Sequence, residues 1–226
     1  MEQEEVIKEY GYRETSITND HLTRTFTRMG AGLFVTAVIS YFTFVSGVYL
    51  TLPYILLLIV ELGIVIGFSA AFRKASAAAC TIMFYVYAVV NGLTLSTIFA
   101  AYEIGSIATA FLSAGVLFIG LAIVGKTTKM DLSKFGTILT VGLIVGIVVS
   151  IINIFVGSTV VDLVLNIVML LIFCGLTAYD MQKFSEIASI PEVDHEKMYS
   201  YFALALYLDF INIFLKLLRL FGNRRR

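Results

Sequence analysis

Four ionisable residues stand inside long apolar runs of this chain: Glu61, Asp180, Asp209 and Lys216. A charged side chain at the centre of a membrane costs about 2.5–3.5 kcal/mol on insertion scales. Each of these residues therefore needs a partner, a water-filled cavity or a role in moving ions or protons. Carboxylates in such positions are typical of ion and proton pathways.

Polar residues near these four recur at helical spacing. Asp209, Asn212 and Lys216 fall at positions i, i+3 and i+7, so they share one face of a helix. Similar stripes are formed by Asp162, Asn166, Thr177 and Asp180, and by Asn91 with Thr94. Because polar stripes cannot face lipid, they predict a shared interior with the last helix near its centre.

Some of these residues also have a purely structural interpretation, because amides and hydroxyls in membrane helices hydrogen-bond to neighbouring helices. We interpret Asn91, Thr94 and Lys216 in this way, and Asn212 fits either this role or a place beside an ion path. For Asp180 and Asp209 we favour a functional role, because an amide would hold helices together without a desolvated charge.

Asp180 and Asp209 can meet if the last two helices pack antiparallel. Two carboxylates in a low-dielectric environment cannot both ionise cheaply, so the pair tends to share one proton and acts as a pH switch. Arg73, at the end of the second apolar run, could compete for Asp180 as a latch. It could equally be an ordinary positive anchor on the cytoplasmic side.

The composition is that of an integral membrane protein. Hydrophobic residues make up 59% of the chain, charged residues only 14%, and the mean hydropathy is +0.92. Soluble domains contain about 25% charged residues, so this sequence cannot provide a solvated exterior. The net charge of zero gives no indication of nucleic-acid binding. Cys80 and Cys174 lie in apolar runs and indicate neither a disulfide nor a metal site.

Seven stretches are long enough to cross a membrane as helices, which takes about 20 apolar residues. They are predicted at Gly32–Leu50, Tyr54–Phe72, Ala75–Tyr102, Ile104–Val124, Phe135–Val156, Val160–Asp180 and Met198–Phe221. We therefore predict an all-α integral membrane protein. It comprises a polar cytoplasmic tail (residues 1–29), a single seven-helix domain (residues 30–222) and a basic C-terminal tail (residues 223–226).

Lys and Arg residues alternate between the loops. They occur in the N-terminal tail and in the second, fourth and sixth loops, and are absent from the first, third and fifth. An excess of positive charge on the cytoplasmic side places the N-terminus in the cytoplasm. The basic C-terminus conflicts with seven full spans. Two alternatives follow: a full last span, which we favour, or a re-entrant last helix.

Three segments carry a resemblance to a known family. They are Asn91–Ser96, Thr177–Asp180 and the run from Ala205 to Leu218, which contains Leu-Tyr-Leu-Asp-Phe-Ile-Asn. They resemble the Bax inhibitor family, the transmembrane BAX inhibitor motif proteins, and the resemblance covers nearly the whole chain. It implies six helices packed around a central seventh, and a leak of calcium across the membrane that depends on pH.

The resemblance also implies roles for individual residues. The paired aspartates of the family map onto Asp180 and Asp209, its intramembrane glutamate onto Glu61 and its latch arginine onto Arg73. In this interpretation Glu61, Asp209 and Asn212 border the ion path, and the two aspartates sense pH, gate the pore and could contact calcium. Calcium is consistent with these residues because it prefers carboxylate and carbonyl oxygens.

The expected function is thus a pH-sensitive calcium leak channel in a bacterial plasma membrane, with no catalytic turnover and no cofactor. Its partners would be the lipid bilayer, calcium ions and protons. One alternative is an intramembrane aspartyl hydrolase, although the Gly-x-Gly-Asp context of such enzymes is absent around both aspartates. The other is a non-conducting protein that interacts with or regulates other membrane proteins.

Overall fold

In a computed structural model the chain forms seven long α-helices, and the structure describes the backbone of residues 2–225 and the side chains of residues 19–225. The helices are α1 (Glu2–Val45), α2 (Tyr54–Ala71), α3 (Ala77–Ala101), α4 (Ile104–Thr127), α5 (Ser133–Val156), α6 (Thr159–Ala188) and α7 (His195–Phe221). Each contains a stretch long and apolar enough to cross a membrane, which in α1 is Asn19–Val45. The predicted all-α, multi-pass membrane fold is confirmed.

α1 differs from the first predicted span at both ends. It is already helical well before Gly32, so the predicted tail and the first span are continuous. At its other end α1 stops at Val45 rather than Leu50. Gly47 adopts a left-handed conformation there (φ 76°), and a 3₁₀ turn follows at Val48–Thr51. A left-handed glycine is a common way to end a helix.

The residues that α1 buries explain why the helix begins before the predicted Gly32. They recur every three or four residues along one face: His21, Thr25, Met29, Gly32, Thr36, Ser40 and Thr43. This spacing is that of a single helical stripe. Because most of these residues are small or polar, an average of hydropathy does not detect the face that the helix buries.

The chain divides into two compact units. The first contains Met1–Leu95 and Phe184–Leu204, and the second contains Ser96–Lys183 and Ala205–Arg226. Several helices therefore contribute one part to each unit. Each unit is described by its own contacts below.

In the first unit, polar contacts join α1 to the first turns of α7. Arg28 donates hydrogen bonds to the carbonyl oxygen of Glu196 and to Oγ of Ser200, both at 2.9 Å, and forms an ion pair with the Glu196 carboxylate. Nδ1 of His21 lies 2.6 Å from the hydroxyl oxygen of Tyr199. These contacts fix the start of α7 against α1.

In the second unit, the end of α7 is tied to the loop between α3 and α4. The N–H group of Glu103 donates to the carbonyl oxygen of Asn223, and that of Arg225 donates to the carbonyl oxygen of Ala101, both at 3.0 Å. The tail after α7 therefore lies beside the third loop. α7 itself is one continuous helix of 27 residues, long and apolar enough for the full last span that we favour.

α7 is the most deeply buried of the described spans. In its membrane-spanning stretch 61% of the residues are buried, compared with 39% in α3 and 28% or less in the other five. Lipid-facing helices need apolar surfaces, whereas a buried helix can carry polar groups. The deep burial of α7 is what the predicted central position requires.

A first prediction concerns the close approach of α4 and α6. A methyl group at Gly125 would collide with the backbone of Ala178, so Gly125→Ala should force the two helices apart and lower the melting temperature. Gly63→Ala in α2 is the control, because a methyl group there meets nothing within 4 Å. Unfolding can be followed by the reaction of the buried Cys80 thiol with a fluorophore. Equal melting temperatures for the two variants would contradict the close contact.

Candidate functional site

Asp209 lies in the middle of α7 and is only 4% exposed. Its carboxyl group is hydrogen-bonded to Thr177 of α6, while its Oδ2 atom has no partner among the described residues. A buried carboxylate with a free oxygen is unfavourable unless it binds a proton or a cation. Asp209 is therefore positioned to bind one or the other.

The hydroxyl group of Thr177 has one proton and two neighbouring acceptors. Oγ1 lies 2.8 Å from the carbonyl oxygen of Phe173, to which it donates, and it is also bonded to Asp209. The hydroxyl group thus bonds to the backbone of its own helix and lies beside the Asp209 carboxyl group of α7.

Asp180 follows Thr177 by three residues on α6, close enough to Asp209 for their charges to act on each other. Lys183, three residues further on, attracts the Asp180 carboxylate, and its ammonium group lies over the Tyr179 ring. Asp180 thus lies between a like charge and an opposite charge. Asp180 and Asp209 lie within electrostatic range of each other, and their pairing and their roles as pH sensor and gate stay predictions.

In the first unit, Glu61 of α2 faces α3 rather than lipid. Its carboxylate is hydrogen-bonded to the side chains of Asn91 and Thr94. Its Oε1 atom is buried without a partner in the part of the chain whose side chains are described. Asn91 and Thr94, predicted to be structural, are thus the residues that hold the glutamate in place.

Arg73 and Asn212 lie apart from these hydrogen bonds. Arg73 is exposed in the turn after α2 and takes part in none of the ion pairs found among residues 19–225. Asn212 uses Nδ2 to donate to the carbonyl oxygen of Leu208, one turn back along its own helix, at 2.8 Å. The latch role of Arg73 and the place of Asn212 beside the ion path stay predictions.

The polar stripe on α6 divides into two separate groups. Thr177 belongs with Asp180, whereas Asp162 and Asn166 lie about 27 Å and about 21 Å from Asp180 along the helix. There they contact the last turns of α7. Asn166 donates from Nδ2 to the carbonyl oxygen of Lys216 at 3.1 Å, and Asp162 forms an ion pair with Arg219. The two ends of α6 therefore carry different chemistry.

Sequence reasoning missed Lys183 as a member of the aspartate cluster. It treated this residue only as a positive charge of a cytoplasmic loop, although its i+3 spacing from Asp180 is a signal that could have found it. Among residues 19–225 no group of three or more His, Cys, Asp or Glu residues is arranged to hold a metal ion. Calcium contact at Asp180 and Asp209 stays a prediction.

Comparison with known proteins assigns the family. The model of the family described as inhibitor of apoptosis-promoting Bax1 matches residues 18–226. The chain belongs to the Bax inhibitor family. The match confirms the resemblance that the segment around Asp209 carried in the sequence, and it covers all seven spans.

Bacterial membrane proteins are among the similar members. The chain is 37% identical over 215 residues to the inner membrane protein YbhL of Escherichia coli K12, a match that covers 91% of this chain and 92% of YbhL. A protein of Borreliella burgdorferi is 36% identical over 222 residues, which is 94% of this chain and 96% of that protein. A membrane protein of Streptococcus pyogenes serotype M3 is 39% identical over 73% of this chain and 72% of its own length.

Proposed function

We propose that this member of the Bax inhibitor family is a pH-sensitive calcium leak channel, with Asp180 and Asp209 as its proton-binding gate. One observation carries the proposal: the carboxyl group of Asp209 is buried on α7, and its charge interacts with that of Asp180 on α6. Carboxylates that interact strongly bind protons jointly, so the pair acts as one titrating unit. The membrane is proposed to be a bacterial plasma membrane, with the N-terminus in the cytoplasm.

The gate works through the force between α6 and α7. While one proton is shared, the two carboxyl groups can lie together. Without it, two negative charges repel each other in an environment of low dielectric constant. The repulsion is relieved when the carboxylates separate or when a cation comes between them. Losing one proton therefore couples pH to the opening of a cation site.

Calcium is the proposed ion because two carboxylate oxygens that have no partner among residues 19–225 are hard ligands: Oδ2 of Asp209 in the second unit and Oε1 of Glu61 in the first. Calcium takes 6–8 oxygen ligands, so each carboxylate can replace only part of its hydration. Conduction requires binding weak enough for the ion to leave. The proposal involves no catalytic turnover and no cofactor.

Replacing Glu61 tests whether its charge serves the ion path. Glu61→Gln keeps a side chain that can bond to Asn91 and Thr94 but removes the charge that attracts a cation. We expect lower calcium flux into liposomes that contain the purified protein and a calcium-sensitive dye. Glu192→Gln is the matched control, since Glu192 is exposed in the loop between α6 and α7, and it should not change the flux. Equal calcium flux for both variants would indicate that Glu61 serves only in helix packing and that its charge does not attract the ion.

The gate is tested by the pH dependence of calcium flux in the same liposomes. Asp180→Asn and Asp209→Asn should each abolish most of the pH dependence, and the double variant should add little, because residues that act as a unit are non-additive. Asp162→Asn is the matched control. This aspartate lies on the same helix as Asp180 but is paired with Arg219, so its replacement should leave the pH response intact.

Two results would contradict the shared-proton gate. One is a full pH response in each single aspartate variant, and the other is a double variant whose effect is the sum of the two single effects. Liposomes without protein measure the passive leak of the bilayer. A protein that conducts no calcium at any pH in this assay would favour the non-conducting alternative.

A further inference from the structure

The second unit contains a cavity of about 510 Å³ that the proposed gate does not use. It lies where α5 ends, α6 begins and the last turns of α7 pass by. Its lining includes Asn153 and Ser158 at the α5–α6 turn, Asn166 on α6, and Lys216 and Arg219 on α7. Its volume is that of a small-molecule site, for which 300–1,000 Å³ is typical.

The charges on the cavity wall favour an anion. Arg219 is already paired with Asp162, which also lines the cavity. Lys216 forms no ion pair within the described part of the chain, and its side chain is neither fully buried nor fully exposed. The wall therefore has two positive charges and one negative charge. Asp162 forms its ion pair with Arg219 and acts on Lys216 only from a longer distance, so the wall keeps one net positive charge.

Asn166 supplies a second and independent indication of a ligand. It is only 3% exposed and lines the cavity. Its Nδ2 donates to the carbonyl oxygen of Lys216, so Oδ1 is left as an acceptor, and no donor among the described residues reaches it. Buried polar atoms almost always have partners. The occupant should therefore offer a hydrogen-bond donor as well as a negative charge.

Apolar side chains beside the cavity indicate contact with lipid. Ile154 lines the cavity and is 77% exposed, and its neighbours Phe155 and Val156 are also exposed. The cavity lies at the ends of membrane-spanning stretches, which is the depth of lipid headgroups. Basic pockets between membrane helices are suited to the phosphate groups of lipids.

We propose that this cavity binds a phosphate anion that also carries a hydroxyl donor, as a glycerophosphate headgroup does. The phosphate lies against Lys216, and a hydroxyl group of the ligand donates to Oδ1 of Asn166. Ser158 assists, because its Oγ accepts from the N–H group of Val161 and keeps its own proton for the ligand. The ligand can be a phosphatidylglycerol headgroup or a free phosphate, and the experiment below separates these sources.

The test uses the purified full-length protein in a non-ionic detergent and no calcium, so it is independent of the proposed channel function. Its melting temperature is followed through the thiol of Cys80 during separate titrations with dihexanoyl phosphatidylglycerol, dihexanoyl phosphatidylcholine and inorganic phosphate. Phosphatidylcholine is the matched lipid, because it carries the phosphate but has no hydroxyl or N–H donor in its headgroup. Lys216→Gln removes the charge, Lys216→Arg keeps it, and Lys134→Gln removes an exposed lysine at the start of α5.

We expect phosphatidylglycerol to raise the melting temperature of the wild type at lower concentrations than phosphatidylcholine does. Lys216→Gln should weaken its apparent affinity about tenfold, which corresponds to ~1.4 kcal/mol, while Lys216→Arg and Lys134→Gln should behave as the wild type. If inorganic phosphate alone produces the same dependence on Lys216 at equal concentrations, the anion site is supported and its ligand is free phosphate.

The proposal is overturned if Lys216→Gln responds to phosphatidylglycerol as the wild type does. It is also overturned if neither phosphatidylglycerol nor inorganic phosphate shifts the melting temperature of the wild type, or if phosphatidylglycerol acts no better than phosphatidylcholine and inorganic phosphate has no effect. These wild-type comparisons need no variant, so they test the proposal even if a substitution at Lys216 impairs folding.

Discussion

The burial of a carboxylate on the most buried helix is the constraint on which the site depends. Taking Asp209 out of water costs several kcal/mol, which only hydrogen bonds, a proton or a cation can offset. Thr177 provides one hydrogen bond, and Asp180 adds a second negative charge. In the proposed gate, the pair is stable together only with a bound proton or cation. The proposed site therefore responds to pH because its cohesion depends on what it binds.

The other ionisable groups in the spans follow the same physical rule with different partners. Glu61 is held by two neutral side chains of α3, and Asp162 is neutralised by Arg219. Neither arrangement brings two like charges together. Neither Glu61 nor Asp162 is therefore expected to share a proton in the way proposed for Asp180 and Asp209. On one face of α7, Asp209 and Lys216 lie about 10 Å apart along the helix. The same helix thus carries the carboxylate of the proposed gate and the ammonium group of the proposed anion site.

The sequence predicted the spans well because they depend on local patterns, since long apolar runs define the helices. A charge within such a run is rare enough to mark a candidate site, and the roles of Asp180 and Asp209 stay predictions. The early start of α1 was not predicted, because His21 and Thr25 are polar and yet buried. The separation of Asp162 and Asp180 into different groups at the two ends of α6 was not predicted either. Two residues on one stripe can lie too far apart along a helix to share a site.

Other features depend on contacts that spacing alone does not define. The orphaned amide oxygen of Asn166 can be recognised only when the carbonyl group of Lys216 is seen to occupy Nδ2. The position of Thr177 between the Phe173 carbonyl group and the Asp209 carboxyl group likewise becomes visible only in the structure. In each case the residue type was visible in the sequence, but its chemistry follows from hydrogen bonds between residues or helices that are distant in the chain.

The most direct test of the shared proton is an infrared titration of the purified protein in liposomes, which follows the C=O band of protonated carboxyl groups. The wild type should show two titration steps separated by more than about one pH unit that are missing from Asp209→Asn, which should show a single step for Asp180, because strongly interacting carboxylates release their protons in two macroscopic steps. The Asp180→Asn variant should lack the same two steps and show a single step for Asp209 instead. If the wild type showed two independent carboxyl groups, each titrating identically whether or not the other is present, the two aspartates would not share a proton.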